Sequence, residues 1–360
     1  MVVDSARRHA MLEPEPAPTE RVVVDPARVR QFGEAVGTHF RLVTDATHAD
    51  AFVISTGAQY ESCAVMAVED GMEFEEVISS RVPEPAHVLV ISPSRFFESP
   101  PDELIGPRRK LLAMACNSTP TDLDVIRHFL RVIERTDPAE QDAFAERFFD
   151  TIEQAEHLEV VHMGTRSTLR FDHLREDYVW NQQAGSVDWG EQQIVPSGEI
   201  SVLPIEIRSF DSALCLALNG ELTLNGHPIL HSGTPSHLRT DQARLHQELL
   251  AMRDHPIVAT IEGGRISALR ATGPGCAPAV EALEAMFHVD SRYRIVWEIG
   301  HAVNTALDLL PGNHAMNEVY GGDRGCLHWG LGLTPYTQYH LDIISPGTRV
   351  LTDRGVPVLG

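Results

Sequence analysis

Lysine is nearly missing from this chain: Lys110 is the only one. Any chemistry that needs a lysine amine therefore has a single candidate. Positive charge as a whole is scarce. A net charge of -22 excludes partners read through their phosphates, because nucleic acids and anionic lipids call for a basic surface. Cysteine is sparse too, and Cys63, Cys116, Cys215, Cys276 and Cys326 form no Cys-x-x-Cys pair. That spacing excludes a structural zinc finger and fits a reducing compartment, where each thiol serves as a small apolar side chain. No apolar run approaches eighteen residues, so no transmembrane helix is expected. Met1 to Glu20 lacks the apolar centre of a signal peptide, and its Glu13-Pro14-Glu15-Pro16-Ala17-Pro18 run reads as a disordered lead-in. These absences point to an acidic, cytoplasmic protein without nucleic-acid or membrane partners.

What is present suggests two domains. Over residues 21–155, short β-branched runs such as Ala51 to Ser55 and His87 to Ile91 read as buried strands. Helices are expected at Pro26 to Val36 after an Asp25 cap, and at Leu104 to Ala115. Two stronger ones follow. Asp122 to Glu134, capped by Thr121, carries an apolar stripe of Leu123, Ile126, Phe129, Leu130 and Ile133; Pro138 to Gln154 carries Phe144, Phe148 and Ile152. Strands alternating with helices imply an α/β domain with a largely parallel sheet.

Over residues 156–360 the pattern changes to short strands and glycine turns. Thr168 to Phe171, Gly198 to Pro204, Leu214 to Leu218, Glu221 to Leu224, Ile257 to Ile261 and Arg265 to Leu269 are the strand candidates. Asn225-Gly226 and Glu262-Gly263-Gly264 read as hairpin turns. With two short helices, Gln242 to Met252 and Ala279 to Phe287, this predicts a β-rich, barrel-like α+β domain.

The chemistry concentrates near the end. Trp297-Glu298-Ile299-Gly300, Cys326-Leu327-His328-Trp329-Gly330 and His340-Leu341-Asp342-Ile343-Ile344 place metal-binding side chains in apolar or glycine-rich strand contexts. His340 and Asp342 are two apart in a β-type run, so they project from one face. A carboxylate beside an imidazole is what a hydrolytic metal site needs. His231, His237, His301, His314 and Glu318 lie near these motifs and read as pocket rim or surface.

A longer succession carries a family likeness. Gly164 to Phe171, Pro196-Ser197-Gly198-Glu199-Ile200, Glu221 to Leu230, Glu262 to Ile266, Trp297 to Gly300, His328 and His340-Leu341-Asp342 follow in order. The series resembles the thermophilic-type leucyl aminopeptidases, the aminopeptidase T family of metallopeptidases. The resemblance implies that Glu199, Glu298, His328, His340 and Asp342 hold two divalent ions, with zinc, cobalt or manganese as the metals and a homodimer as the assembly. It implies activated water attacking the amide of a peptide or small amide. Glu199 serves as general base if it is not a ligand, and Tyr336, or Tyr339, as oxyanion donor. Asn304 occupies the place of a supporting residue. The chain departs from the family in having only twelve positions from His328 to His340, which alters the pocket rim and suits an enzyme dedicated to one peptide of a specialised pathway.

The closing His-Leu-Asp-Ile also resembles the 2,5-dihydroxypyridine dioxygenases. That likeness implies one Fe(II) held by His328, His340 and Asp342. The extra carboxylates Glu199 and Glu298 favour the two-metal reading. A catalytically idle peptide-binding protein is the third possibility, and the complete ligand set argues against it.

Overall fold

The computed structural model describes residues 21–55, 58–95, 99–205 and 215–360. The lead-in expected over Met1 to Glu20, and Leu214 at the start of one expected strand, lie outside the described residues.

The N-terminal part contains β1 (Val22–Val24), β2 (His39–Asp45), β3 (Phe52–Ile54), β4 (Ser62–Val68), β5 (Ala86–Ile91) and β6 (Arg109–Met114). Its helices are α1 (Phe74–Arg81), α2 (Asp102–Ile105), α3 (Leu123–Arg135) and α4 (Pro138–Glu153). β4, β2, β5 and β6 lie side by side and all parallel, while β1 and β3 form a separate parallel pair. Both faces of the main sheet are buried. Val88 and Val90 meet Phe74, Val77 and Ile78 of α1, whereas Leu89 and Ile91 belong to the cluster with Ile126, Phe129 and Ile133 of α3. Each such side chain contributes roughly 1.5–3 kcal/mol on burial.

Three expectations for this part need correction. α3 is capped by Asp122, whose carboxylate accepts from the Asp124 and Val125 amides, because the Thr121 hydroxyl turns back to the Thr119 carbonyl. The helix expected at Pro26 to Val36 is two 3₁₀ turns, Pro26–Arg28 and Arg30–Phe32, broken where Val29 leaves helical geometry at φ -86 and ψ 78. The helix expected at Leu104 to Ala115 is instead the single turn α2, ended by Gly106 at φ 75, followed by strand β6.

The C-terminal part contains β7 (Leu158–His162), β8 (Ser167–Phe171), β9 (Tyr178–Gln183), β10 (Gln192–Val195), β11 (Glu199–Pro204), β12 (Leu218–Leu224) and β13 (His227–Ser232). α5 (Arg239–Leu249), β14 (Ile257–Glu262), β15 (Arg265–Ala271), α6 (Ala277–Val289) and β16 (Val296–Ala302) follow. The chain ends with β17 (Cys326–Leu331), β18 (Tyr339–Ser345), β19 (Thr348–Thr352) and β20 (Pro357–Leu359). β10 returns to the first sheet and pairs in parallel with β6. The remaining strands make two antiparallel sheets, β13-β18-β17-β16-β11-β9 and β15-β14-β12-β8-β7-β19-β20.

These two sheets share one core. Ile299, Leu327, Trp329, Leu341 and Ile343 of the six-stranded sheet join Val160, Leu169, Leu222, Leu224 and Ile257 of the seven-stranded sheet. Trp329 is fully buried there, and its truncation to Ala would cost about 3–5 kcal/mol. Because each sheet covers its inner face with the other, neither has to close on itself. Among the described residues no barrel forms, which corrects the barrel-like expectation. Asn225-Gly226 is likewise no hairpin. It carries the chain from β12 in one sheet to β13 in the other, and a Cβ on Gly226 would lie 2.4 Å from the Ile344 carbonyl oxygen. Glu262-Gly263-Gly264 does join the antiparallel pair β14 and β15. No helix among the described residues is long and apolar enough to cross a membrane.

Candidate metal centre

Strand alternation builds the centre. In β17, Leu327, Trp329 and Leu331 enter the core, so His328 and Gly330 face the opposite side of the sheet. Register then assembles neighbours on that side. Gly300 of β16 pairs with His328, Gly330 lies between Glu298 and Asp342, and His340 of β18 pairs with His231 of β13. The two glycines make the floor. A Cβ on Gly300 would stand 1.9 Å from His328 Cε1, and one on Gly330 would stand 2.7 Å from Glu298 Cβ.

Glu199, Glu298, His328, His340 and Asp342 are thus brought together. His328 Nε2 lies 3.8 Å from Glu199 Oε1, and His340 Nε2 lies 3.8 Å from Glu298 Oε2 and 2.9 Å from Asp342 Oδ2. The His340 ring is fixed from behind, since its Nδ1–H donates to the Gly332 carbonyl at 2.8 Å and leaves Nε2 turned to the cluster. Second partners of this kind set the tautomer of metal-binding histidines. Glu199 is placed by the turn before it. Gln141 and Asn304 both donate to the Ser197 carbonyl, and Asn304 also donates to the Thr136 hydroxyl. Asn304 therefore supports the start of β11 rather than touching the cluster.

Two residues read from sequence as rim or surface belong to the centre. His231 Nε2 lies 3.1 Å from Asp342 Oδ2 and 3.5 Å from Glu318 Oε1. His301 departs the other way. It sits on the core face against Phe148 and Trp180, with Nδ1 at 3.0 Å from the Ile200 carbonyl, and burial pushes its pKa down to about 3. The signal was parity: three residues from Glu298, it must point to the other face. Cys326 shares an apolar patch with Ile229 and Ile344, where burial pushes the thiol up to about 12.

The Tyr339 hydroxyl is occupied with the Leu238 backbone, accepting from its amide at 3.2 Å and donating to its carbonyl at 3.1 Å. Tyr336 lies in the turn after Pro335, where its carbonyl accepts from Arg292.

The pocket crowds buried carboxyl and imidazole groups together, and each shifts the others. Burial, then repulsion from neighbouring carboxylates, pushes Glu199 and Glu298 each up to about 8. Burial also acts on Asp342, but the charges of His340 and His231 outweigh it and hold this carboxyl well below the usual range. Burial lowers His340 and His231; the facing carboxylates reverse this and raise them to about 9 and about 10. Several of the polar atoms meet each other only as ion pairs or not at all. Both His328 nitrogens and both Asp342 oxygens are buried without a hydrogen bond, as is His231 Nε2. Leaving such groups unmet costs roughly 1–3 kcal/mol each, more for charged ones. Histidine nitrogens and carboxylate oxygens converging this way fit divalent cations, and three donor groups satisfy the spacing: Glu199/Glu298/His328, Glu298/His340/Asp342 and His231/Glu318/Asp342.

No protein-family model matches the chain, and no curated protein matches it. Among solved structures it is similar to 2,5-dihydroxypyridine dioxygenase from Pseudomonas putida KT2440. That match has a TM-score of 0.52 at 16% identity and covers 89% of this chain and 91% of the other. What the two share is a fold. The chain also matches wild-type AmpT from Thermus thermophilus at TM-score 0.45 and 14% identity, over 92% of this chain and 96% of that one. That second likeness is too loose to argue from.

A cavity of about 550 Å³ opens beside the cluster, with His231 and His340 in its wall. Ser94, Asn117 and Ser118 reach it from the N-terminal part, and Thr234, Pro235, His237, Arg239, Thr334 and Pro335 from the C-terminal part. Its size suits a small molecule or a short peptide end.

Proposed function

We propose that this chain is a metal-dependent hydrolase acting on an amide of a peptide or small amide, with a centre for two divalent cations. The observation that carries this reading is a shared donor: Glu298 belongs both to the Glu199/Glu298/His328 group and to the Glu298/His340/Asp342 group. Adjacent cations sharing a carboxylate are the arrangement of two-metal hydrolytic sites. Charge supports the same number. Glu199, Glu298, Asp342 and Glu318 bring four carboxylates to one pocket. Once all four are ionised, their charge matches that of two divalent cations.

Bound there, such cations supply Lewis-acid polarisation of a carbonyl and acidify water. The protein's own part is positioning and proton handling. His340 is held by the Gly332 carbonyl, and His328 rests on Gly300. Tyr336, one residue beyond the cavity-lining Pro335, is the donor we propose for the carbonyl oxygen.

A second reading has its own observation. Asp342 Oδ2 lies within 3.1 Å of the ring nitrogens of both His231 and His340, a two-histidine, one-carboxylate set of the kind that holds Fe(II). Its fold neighbour is named as a dioxygenase. Metal analysis of protein purified without chelator separates the two. Two ions per chain, cleavage of aminoacyl-anilides restored by Zn, Co or Mn, and loss of both in His340→Ala are expected. One iron per chain with oxygen uptake on dihydroxypyridines would replace the hydrolase by the second reading. Absence of any bound metal would overturn both and leave a peptide-binding role.

A further inference from the structure

Outside the five sequence-predicted residues, one cluster faces the same centre from different elements. His231 comes from the edge strand β13, and Glu318 from a short 3₁₀ helix, Ala315–Val319, in the loop between β16 and β17. Both approach Asp342. His231 is 8% exposed and Asp342 fully buried; apart from the ion-pair contacts of Asp342 with His231 and His340 and of His231 with Glu318, His231 Nε2 and both Asp342 oxygens have no hydrogen-bond partner. His231 and Asp342 approach to 3.1 Å as an ion pair. The His231 ring is held from behind by the Ser118 hydroxyl, 2.9 Å from Nδ1, which leaves Nε2 directed at Asp342 and Glu318. Ring-held imidazoles with the second nitrogen open are the arrangement of metal ligands.

The loop carrying Glu318 is also fixed. Asn313 clamps Leu230 of β13 by accepting from its amide and donating to its carbonyl, and the Ala315 amide donates to the Thr119 hydroxyl. Ser118 and Thr119 therefore support both side chains from one segment of the N-terminal part.

We infer that His231 and Glu318, with His340 and Asp342, ligate the outer of the two cations, while Glu199 and His328 ligate the inner one and Glu298 lies between them. This rests on the two-cation reading above. The centre then has seven protein ligands drawn from five strands and one loop, and the cation ties the Glu318 loop to the sheet. Cation affinity for the outer position depends on residues more than a hundred positions apart in sequence, such as Ser118 and His231.

The test titrates metal-free, full-length protein with Co(II), following ligand-field absorption and calorimetric stoichiometry. Wild type is expected to fill two sites. His231→Gln and Glu318→Gln are each expected to weaken one site by about 100-fold or more, the top of the range commanded even by supporting residues, and to leave the other unchanged. Circular dichroism checks folding; should His231→Gln misfold, the near-isosteric Glu318→Gln decides. Two undiminished sites in a folded Glu318→Gln protein would overturn the assignment while leaving the two-cation reading intact. Equal weakening of both sites would also overturn it. No Co(II) binding by wild type would overturn both.

Discussion

Replacing Gly300 by Ala tests the centre without touching a ligand. The backbone there is an ordinary strand conformation, so the new residue meets no torsional penalty. Its Cβ would lie 1.9 Å from His328 Cε1 and 2.1 Å from Nε2. Carbon atoms in contact sit at roughly 3.5–4.0 Å, so the imidazole must retreat by about 1.5–2 Å. Metal ligands tolerate displacements of only about 0.2 Å. His328 should therefore be lost as a ligand, weakening one cation site by about 100-fold or more. Because the buried ring must move, overpacking should cost the fold about 1–3 kcal/mol, partly offset by the roughly 0.4–1 kcal/mol that Gly→Ala gains from the unfolded state. Metal content after dialysis, measured beside thermal denaturation, reads both effects. A folded Gly300→Ala protein that keeps two tightly bound ions would show that His328 does not ligate and would refute the reasoning.

Three further expectations follow from the same geometry. Ser118→Ala removes the hydroxyl behind His231 and should weaken the outer cation by about 10–100-fold; unchanged Co(II) affinity would dissociate this loop from the centre. Glu199 and Glu298, raised to about 8, hold protons at pH 7 that cations must displace, so affinity should climb as pH rises toward 8. Calorimetry in buffers of different ionisation heat should register net proton release, and a buffer-independent heat would contradict it. His87, pushed down to about 3 by burial and then by the Lys110 charge, stays neutral when folded but takes up a proton near pH 6.5 when unfolded. Between those values the unfolded chain binds the extra proton. Its contribution is therefore complete above about pH 6.5 and falls by about 1.4 kcal/mol per unit below it. Urea unfolding of wild type and His87→Gln at pH 7 and pH 5 checks this; a pH-independent difference between the two would count against it.

Much of the site was readable because a strand's period is short. His340-Leu341-Asp342 and Leu327-His328-Trp329 declare their two faces locally, and Glu298-Ile299-Gly300 does the same. His231 was not readable in this way. In Pro228-Ile229-Leu230-His231-Ser232 it is one histidine in an apolar run, and only the distant pairing of β13 with β18 sets it beside His340. Glu318 depends on a loop whose position is set by Asn313 and Thr119, contacts with no local signature. The α/β pattern of the first part was legible, but Arg109-Lys110-Leu111-Leu112-Ala113-Met114 is rich in helix formers and still forms β6. Burial in the sheet between β5 and β10 overrides that propensity. The sandwich was missed because Asn225-Gly226 has the composition of a hairpin, while the sheet to which the next strand belongs is a long-range choice.

The return of β10 to the first sheet bears on how the protein is made. Its hydrogen bonds to β6 supply one edge of the parallel sheet from residues that follow β7, β8 and β9 in the chain. During synthesis the first sheet cannot be completed until Val195 has emerged, by which time strands of both antiparallel sheets are already waiting for their partners. A fragment ending at residue 155 would leave β6 as a bare edge, with Leu111, Leu112 and Met114 open to pairing with other chains. The two halves are thus interleaved in time as well as in space, and aggregation of the isolated first half is the expected sign of it.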